Sequence, residues 1–331
     1  MSFGCFLDFR LLGVSTMSTN LCQVFEQYGD DVRCREYLEA LRWPNKVTCP
    51  ECKSEKISRV KLRHVFDCDS CRYQFSVTAG TIFHDTHLPL HKWFAVTYLL
   101  CESRKGMSAN QIKRMLGISY KTAWYLCHRI RKAMAAVPPQ LPLTGTIEVD
   151  ETYVGGRRRG SGGGPTAGGH KEIVIGIRQR NSEANPSGEL RFFHTEDVKS
   201  GTLAKYIREN ISTDAVDVIM TDELPAYPPA MMKAGVHGTR HKTIRHKRRI
   251  YVEGDIHTNT VESAFSLLKR GIVGTWHRIS AKHLEAYLNE MCFRFNNRKN
   301  PYLFRDTLLK MIESENMEYK QLTAFDEQHV A

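Results

Sequence analysis

Two C-x-x-C pairs constrain this chain more than any other feature. Cys49 and Cys52 stand in TCPEC and Cys68 and Cys71 in DCDSC, with fifteen residues between the pairs. A C-x-x-C knuckle turns tightly enough to aim two thiolates at one point, and two knuckles complete a closed tetrahedron of four thiolates around Zn2+. Such a site has no open ligand position, so its metal holds structure and does not catalyse. The segment 43–83, from Trp43 to Phe83, is therefore expected to be a zinc ribbon, with Val60, Leu62, Val65 and Phe66 in a hairpin that carries the second knuckle. A redox pair would sit in a thioredoxin-like strand–helix setting, which the flanking sequence lacks. The other cysteines, Cys5, Cys22, Cys34, Cys101, Cys127 and Cys292, are scattered, and no secretory signal precedes them. Reduced thiols and a cytoplasmic protein are expected, not a disulfide framework.

The chain has 331 residues, 41% hydrophobic and 25% charged, a balance that suits two or three packed domains and argues against a disordered chain. Lys and Arg total 47 against 36 Asp and Glu, a net charge of +11. That surplus favours a polyanionic partner, although a merely basic enzyme has the same sum. No stretch approaches the roughly 18 apolar residues that a membrane-spanning helix needs. Residues 1–16 are apolar but interrupted by Asp8 and Arg10, and a second methionine follows at Met17. They are read as an upstream extension without a structural role, within an N-terminal region of 1–42 that includes a short helical segment.

Beyond the ribbon, His84, His87 and His91 in HDTHLPLH are read as surface histidines at a junction in preference to a second metal site. Residues 84–137 are expected to be helical. Ser108 can cap a helix through Leu116, Gly117-Ile118-Ser119 forms a turn, and a second helix from Tyr120 buries Ala123, Trp124, Cys127 and Ile130. Short helix, glycine turn and basic second helix resemble a helix-turn-helix. Lys121, Arg129, Arg131 and Lys132 are expected on its exposed side, available to phosphate; a purely structural helical pair has the same signature. Pro138, Pro139 and Pro142 mark a boundary. Strand patterns follow at 146–153, 172–180, 189–196 and 215–222, with a helix at 200–210. This is an α/β order compatible with a mixed sheet. The intervening GGRRRGSGGGPTAGGH is no P-loop, since no G-K-[ST] closes it.

Carboxylates offer the chemistry. Asp150 and Asp222 each end an apolar strand, and Glu262 flanks the buried stripe Val261, Phe265 and Leu268 of a helix. Two Asp and one Glu brought to one sheet edge can hold hard, oxygen-loving cations such as Mg2+ and support phosphodiester cleavage. Singly, each has a plain structural reading. Glu148 and Glu151 flank Asp150 as further acids, Asp222 can cap the turn TDELPAY, and Asn259 with Glu262 reads as a capping box.

Taken together, these blocks resemble the DDE transposases of bacterial insertion sequences with an N-terminal zinc ribbon, in particular the ISXO-type group related to the Merlin elements. The resemblance rests on WPNKVTCPEC with its later CDSC, GTIFHDTHLPLHKWF, IEVDETYVGGRRR, TDELPAY and HTNTVESAFSLLKRGIVGTWHRISAKHLEAYLNEMCFRFNNR, in the family order from about 20 to 300. It implies a multidomain α/β chain in which zinc ribbon and helical DNA-binding segment precede an RNase H-like catalytic domain over 138–300, with 301–331 as a mixed tail. It further implies Asp150, Asp222 and Glu262 as ligands of Mg2+ (or Mn2+), with His257 and Asn259 as helpers. Asp150 would bridge two ions, and Asp222 and Glu262 would each complete one. DNA is the implied partner, as terminal inverted repeats and target, and a homo-oligomer, at least a dimer, is implied by the need to pair two ends. A nucleoid-associated bacterial protein follows.

Basic residues gather near these carboxylates in the sequence. No Asp or Glu lies between Leu224 and Val252, but Lys233, Arg240, Lys242, Arg245, Lys247, Arg248 and Arg249 do. Arg157, Arg158 and Arg159 follow Asp150, and Lys269 and Arg270 follow Glu262. These, with Lys121 and Arg129, are the expected DNA contacts. The alternatives are a non-catalytic zinc-ribbon and helix-turn-helix DNA-binding protein derived from such an element, or a metal-dependent nuclease that cuts without joining.

Overall fold

A computed structural model of the chain describes residues 20–135, 140–155, 171–183, 185–244 and 255–324. In chain order the first elements are α1 (Leu21–Tyr28), α2 (Asp31–Arg42), β1 (Ile57–Val60), β2 (Val65–Cys68), β3 (Gln74–Phe75) and α3 (Leu90–Glu102). Next come α4 (Ala109–Leu116), α5 (Tyr120–Met134), β4 (Leu143–Val154), β5 (Glu172–Gln179), β6 (Leu190–Thr195), α6 (Ser200–Asn210) and β7 (Ile211–Thr221). The last are α7 (Tyr227–Ala234), β8 (His241–Thr243), α8 (Asn259–Gly271), α9 (Ala281–Asn296), α10 (Leu303–Glu313) and α11 (Tyr319–Thr323). Among the described residues no helix is long and apolar enough to cross a membrane. The chain divides into two compact units, one reaching to Cys101 and taking in Asn300–Asn316, the other spanning Glu102–Lys299 and the residues from Met317.

The first unit carries the ribbon. β1, β2 and β3 form an antiparallel sheet, and Trp43, Phe66, Tyr73 and Phe75 pack as its aromatic core. Asn20 and Asp30 cap α1 and α2, each accepting a backbone N–H of the first turn. α3 is apolar nearly all round, and α10 closes over it. Phe304 packs on Phe94 and Tyr98, Thr97 Oγ1 donates to Met311 Sδ, and Cys101 meets Thr307 at 3.2 Å. The segment 301–331, expected to be a mixed tail, thus includes a helix whose Leu303, Phe304, Leu308 and Met311 are core residues. Their burial needs a partner some two hundred residues earlier in the chain, which local pattern does not reveal.

In the second unit α4 and α5 have the expected caps. Ser108 accepts from Gln111 N–H, Ser119 accepts from Thr122 N–H, and Gly117 takes the left-handed conformation (φ 62°) that ends α4. One expectation is corrected here. Arg129 and Arg131 do not stand on an exposed face, being 3% and 2% exposed. α9 packs along α5, and its buried Glu290 takes Arg131 Nε at 2.5 Å and also pairs with Arg294. Arg129 stacks over Tyr125. Burying Glu290 demands cations beside it, and that demand outweighs exposure of the helix's basic side. Lys121 and Lys132 remain exposed. The expected helical segment 84–137 is also divided, α3 lying in the first unit through Cys101 and α4 and α5 in the second.

The second unit is built on a five-stranded mixed sheet in the order β6-β5-β4-β7-β8, with β4 and β5 and β5 and β6 antiparallel and β7 parallel to both β4 and β8. Side chains alternate across it. Ile147, Val149, Ile175, Ile177 and Ile219 face α6 and α7, while Val154, Val174, Leu190 and Phe192 face α8 and α9. The α/β layering matches the RNase H-like expectation.

Candidate active site

Register brings the two aspartates together. β4 and β7 run parallel with Glu148 beside Met220, so the same register places Asp150 beside Asp222, just past the end of β7. One carboxylate oxygen from each of Asp150, Glu151 and Asp222 lies within 4.8 Å of the others. Glu151 is the member that alternation alone would send to the opposite face. It reaches the group because β7 has ended there, and Tyr227 of α7 donates to its Oε2 at 2.8 Å. Asp222 Oδ1 accepts the Leu224 N–H and so also caps its turn, while Asp150 Oδ1 accepts the Glu151 N–H.

The electrostatics are those of crowded anions. Burial, then the neighbouring Glu151 and Asp222, then Glu262, push the Asp150 carboxyl up to about 8. Glu151 is raised by burial and by Asp222, and Tyr227 lies well above its ordinary value for the same two kinds of reason. Three half-buried hard oxygen donors without a cationic side chain paired to them among the described residues are a donor set suited to Mg2+ or Mn2+.

Glu262 stands in the first turn of α8 and adds to the raising of the Asp150 carboxyl, but it is not one of the three carboxylates whose oxygens lie within 4.8 Å of one another. The capping box of Asn259 and Glu262, the plain structural alternative for that acid, is not formed. Thr258 is the N-cap, Asn259 is exposed in the first turn, and the Thr258 hydroxyl donates to Glu262 Oε1 at 2.9 Å. The first N–H groups of α8 go instead to Glu148, which lies across on β4. His257 contacts Arg180 Nη2 at 2.8 Å and lies 3.3 Å from Glu148 Oε1. Glu151, Glu148 and Arg180 are thus the residues that reading the sequence missed. A second and third acid around Asp150 were the visible signal, but the roles depend on strand register.

The four cysteines converge as expected. Cys49 and Cys71 are 3.6 Å apart, Cys52 and Cys68 3.5 Å, and all four sulfurs lie within 4.8 Å. A Zn–S bond of 2.3 Å in a tetrahedron requires sulfurs about 3.8 Å apart, so the set fits zinc. Each knuckle closes in the same way: Lys53 and Arg72, the residues after Cys52 and Cys71, adopt φ of 59° and 63° and donate to the carbonyls of Cys49 and Cys68. His91 pairs with Asp31, and His84 Nδ1 accepts from Gly80 N–H, so these two are occupied separately.

Of the expected DNA contacts, Lys121, Lys242 and Lys269 are exposed. Lys233 is exposed and donates to Ser200, and Arg240 donates to the carbonyls of Thr213 and Asp214. Arg157, Arg158, Arg159, Arg245, Lys247, Arg248 and Arg249 lie outside the described residues.

Comparison with known proteins agrees with this geometry. Residues 142–296 match the ISXO2-like transposase domain, and residues 29–74 match a transposase zinc-ribbon domain. An uncharacterized protein in transposable element ISH50 of Halobacterium salinarum is 29% identical over 284 residues, covering 79% of this chain and 90% of the relative.

Proposed function

We propose, from the matches of residues 142–296 and 29–74 to an ISXO2-like transposase domain and a transposase zinc-ribbon domain, that the chain is a transposase that cuts DNA at the ends of an insertion sequence and joins the freed ends to a target. Hydrolysis of a phosphodiester would consume water and leave a 3′-hydroxyl. That hydroxyl oxygen would then bond to a target phosphorus, and the target's own 3′-oxygen would leave with a proton. The observation that carries the reading is the carboxylate cluster at one sheet edge, inside the matched domain.

Asp150, Asp222 and Glu262 would hold divalent cations, Mg2+ or Mn2+, with Glu151 beside them. Cations bound there polarise the phosphodiester and favour deprotonation of the attacking hydroxyl. Tyr227 fixes the Glu151 carboxylate by its hydrogen bond, and the Leu224 N–H fixes Asp222. Lys242 and Lys269, with the arginines of 157–159 and 245–249, supply positive charge for the DNA backbone. Lys121 of the helix-turn-helix is the expected contact to the element's terminal repeats. No tyrosine or serine nucleophile is required. Pairing two ends calls for at least a dimer.

The test is to incubate the protein with DNA carrying the terminal repeats, Mg2+ and a target plasmid, alongside Asp150→Ala. Joined products that disappear in the variant are expected. Binding without cleavage would sink the proposal, and cleavage without joining would reduce it to a nuclease. Metal analysis of protein purified without chelator is expected to find about one zinc per chain.

A further inference from the structure

Glu148 is a buried acid that the carboxylate cluster does not use. It lies on β4 two residues before Asp150, fully shielded from solvent. Its Oε2 accepts the backbone N–H groups of Thr260 and Val261, both at 2.9 Å. Its Oε1 accepts Arg180 Nε at 2.6 Å. Arg180 directs its other donors to the segment that leads into α8, at the carbonyl oxygens of Asp255 (2.8 Å) and His257 (3.0 Å) and at His257 Nδ1, and also to Met220 Sδ of β7 at 3.1 Å.

A helix needs acceptors for its first N–H groups, and the side chain of Thr258 provides none. The sheet provides them through Glu148, with the charge preference of a helix N-terminus adding to the attraction. α8 is also drawn close at Gly176, the β5 residue paired with Asp150, where an added Cβ would lie 2.7 Å from Phe265 and 2.9 Å from Val261.

We propose that Glu148, held by Arg180, is a positioning residue for Glu262: it pins the first turn of α8 to β4 and so sets the third carboxylate against Asp150. This rests on the reading of Asp150, Asp222 and Glu262 as a cation-binding set. In Glu148→Gln the shape is kept, but one oxygen becomes an amide donor facing either Arg180 or the two N–H groups, so one end of the clamp must open.

The test is calorimetric titration of the full-length, zinc-loaded chain with Mn2+, without DNA and hence without turnover. Glu148→Gln and Glu148→Ala are expected to weaken Mn2+ binding about 10- to 100-fold. In a Glu262→Ala background the same substitutions are expected to cost no further affinity, because the residue through which they act is gone. Unchanged affinity in folded Glu148→Gln, or losses that simply add to that of Glu262→Ala, would overturn the proposal. Should Glu148→Ala fail to give a cooperative unfolding transition, Glu148→Gln decides. Asp150→Ala separates the two ideas. If it keeps full Mn2+ affinity, the cation-binding reading falls and the proposal with it. If it loses affinity while the Glu148 variants do not, the proposal alone falls.

Discussion

An ionised Asp150 is costly in the cation-free fold, where the carboxyl is buried beside two other acids. Its carboxyl is raised by burial first and by Glu151 and Asp222 next. An asparagine keeps the shape but cannot ionise, so it escapes the cost that burial and the neighbouring acids place on the carboxylate relative to the unfolded chain, and Asp150→Asn is expected to stabilise the cation-free protein at neutral pH by about 0.5–2 kcal/mol. The same variant is expected to lose the extra stability that Mg2+ gives the native chain. Scanning calorimetry with and without Mg2+ checks both, and a lower transition temperature for Asp150→Asn in the absence of cation would count against it. At this scale the sequence displayed Asp150 and Asp222 plainly, because each follows a run of buried apolar strand residues. Glu151 was hidden because a period of two assigns adjacent residues to opposite faces, and only the end of β7 lets it turn inward. Arg129 and Arg131 misled for the opposite reason: a basic helix face reads as exposed until a buried glutamate on another helix claims it.

Elements were the most legible level. Ser108, Gly117 and Ser119 announced the bounds of α4 and the start of α5, and the strand patterns covered β5 and β6 whole but missed the first three residues of β4 and the first four of β7. What local pattern lacked was the partner of each face, and the α5–α9 contact shows the consequence. His128 of α5 lies against Trp124, His283 and Tyr287, with Arg131 one turn along, and its Nε2 is buried without a hydrogen bond. Burial first, then Arg131 and His283, push the imidazole from its ordinary 6.5 down to about 2. The unfolded chain therefore binds a proton that the folded one refuses between these values. The stability this neutral histidine allows is complete above about pH 6.5 and declines as pH falls, by about 1.4 kcal/mol per unit once well below that point. Thermal unfolding from pH 7 to pH 5 is expected to show the decline, and His128→Gln to flatten it. An equally steep profile in the variant would assign the loss to other groups.

For the molecule as a whole, the order of domains followed from the cysteine knuckles, the proline boundary and the strand run, whereas the return of the chain after Asn300 did not. Phe304 and Met311 look like an isolated apolar pair until Phe94, Thr97 and Tyr98 are brought to them. Phe304→Ala is expected to destabilise the first unit by about 3–5 kcal/mol and to open residues 20–101 to limited proteolysis. Mn2+ binding by Asp150 and Asp222 is expected to survive; equal loss at the carboxylate centre would show that the two units do not stand independently. The discontinuity also carries a consequence for synthesis. On the ribosome the ribbon and α3 emerge early, but α10, which packs on α3, is made only after the whole of β4 to α9. A nascent or prematurely terminated chain therefore holds the apolar α3 without its covering helix until about two hundred further residues have been made, although the ribbon's own aromatic core is already complete.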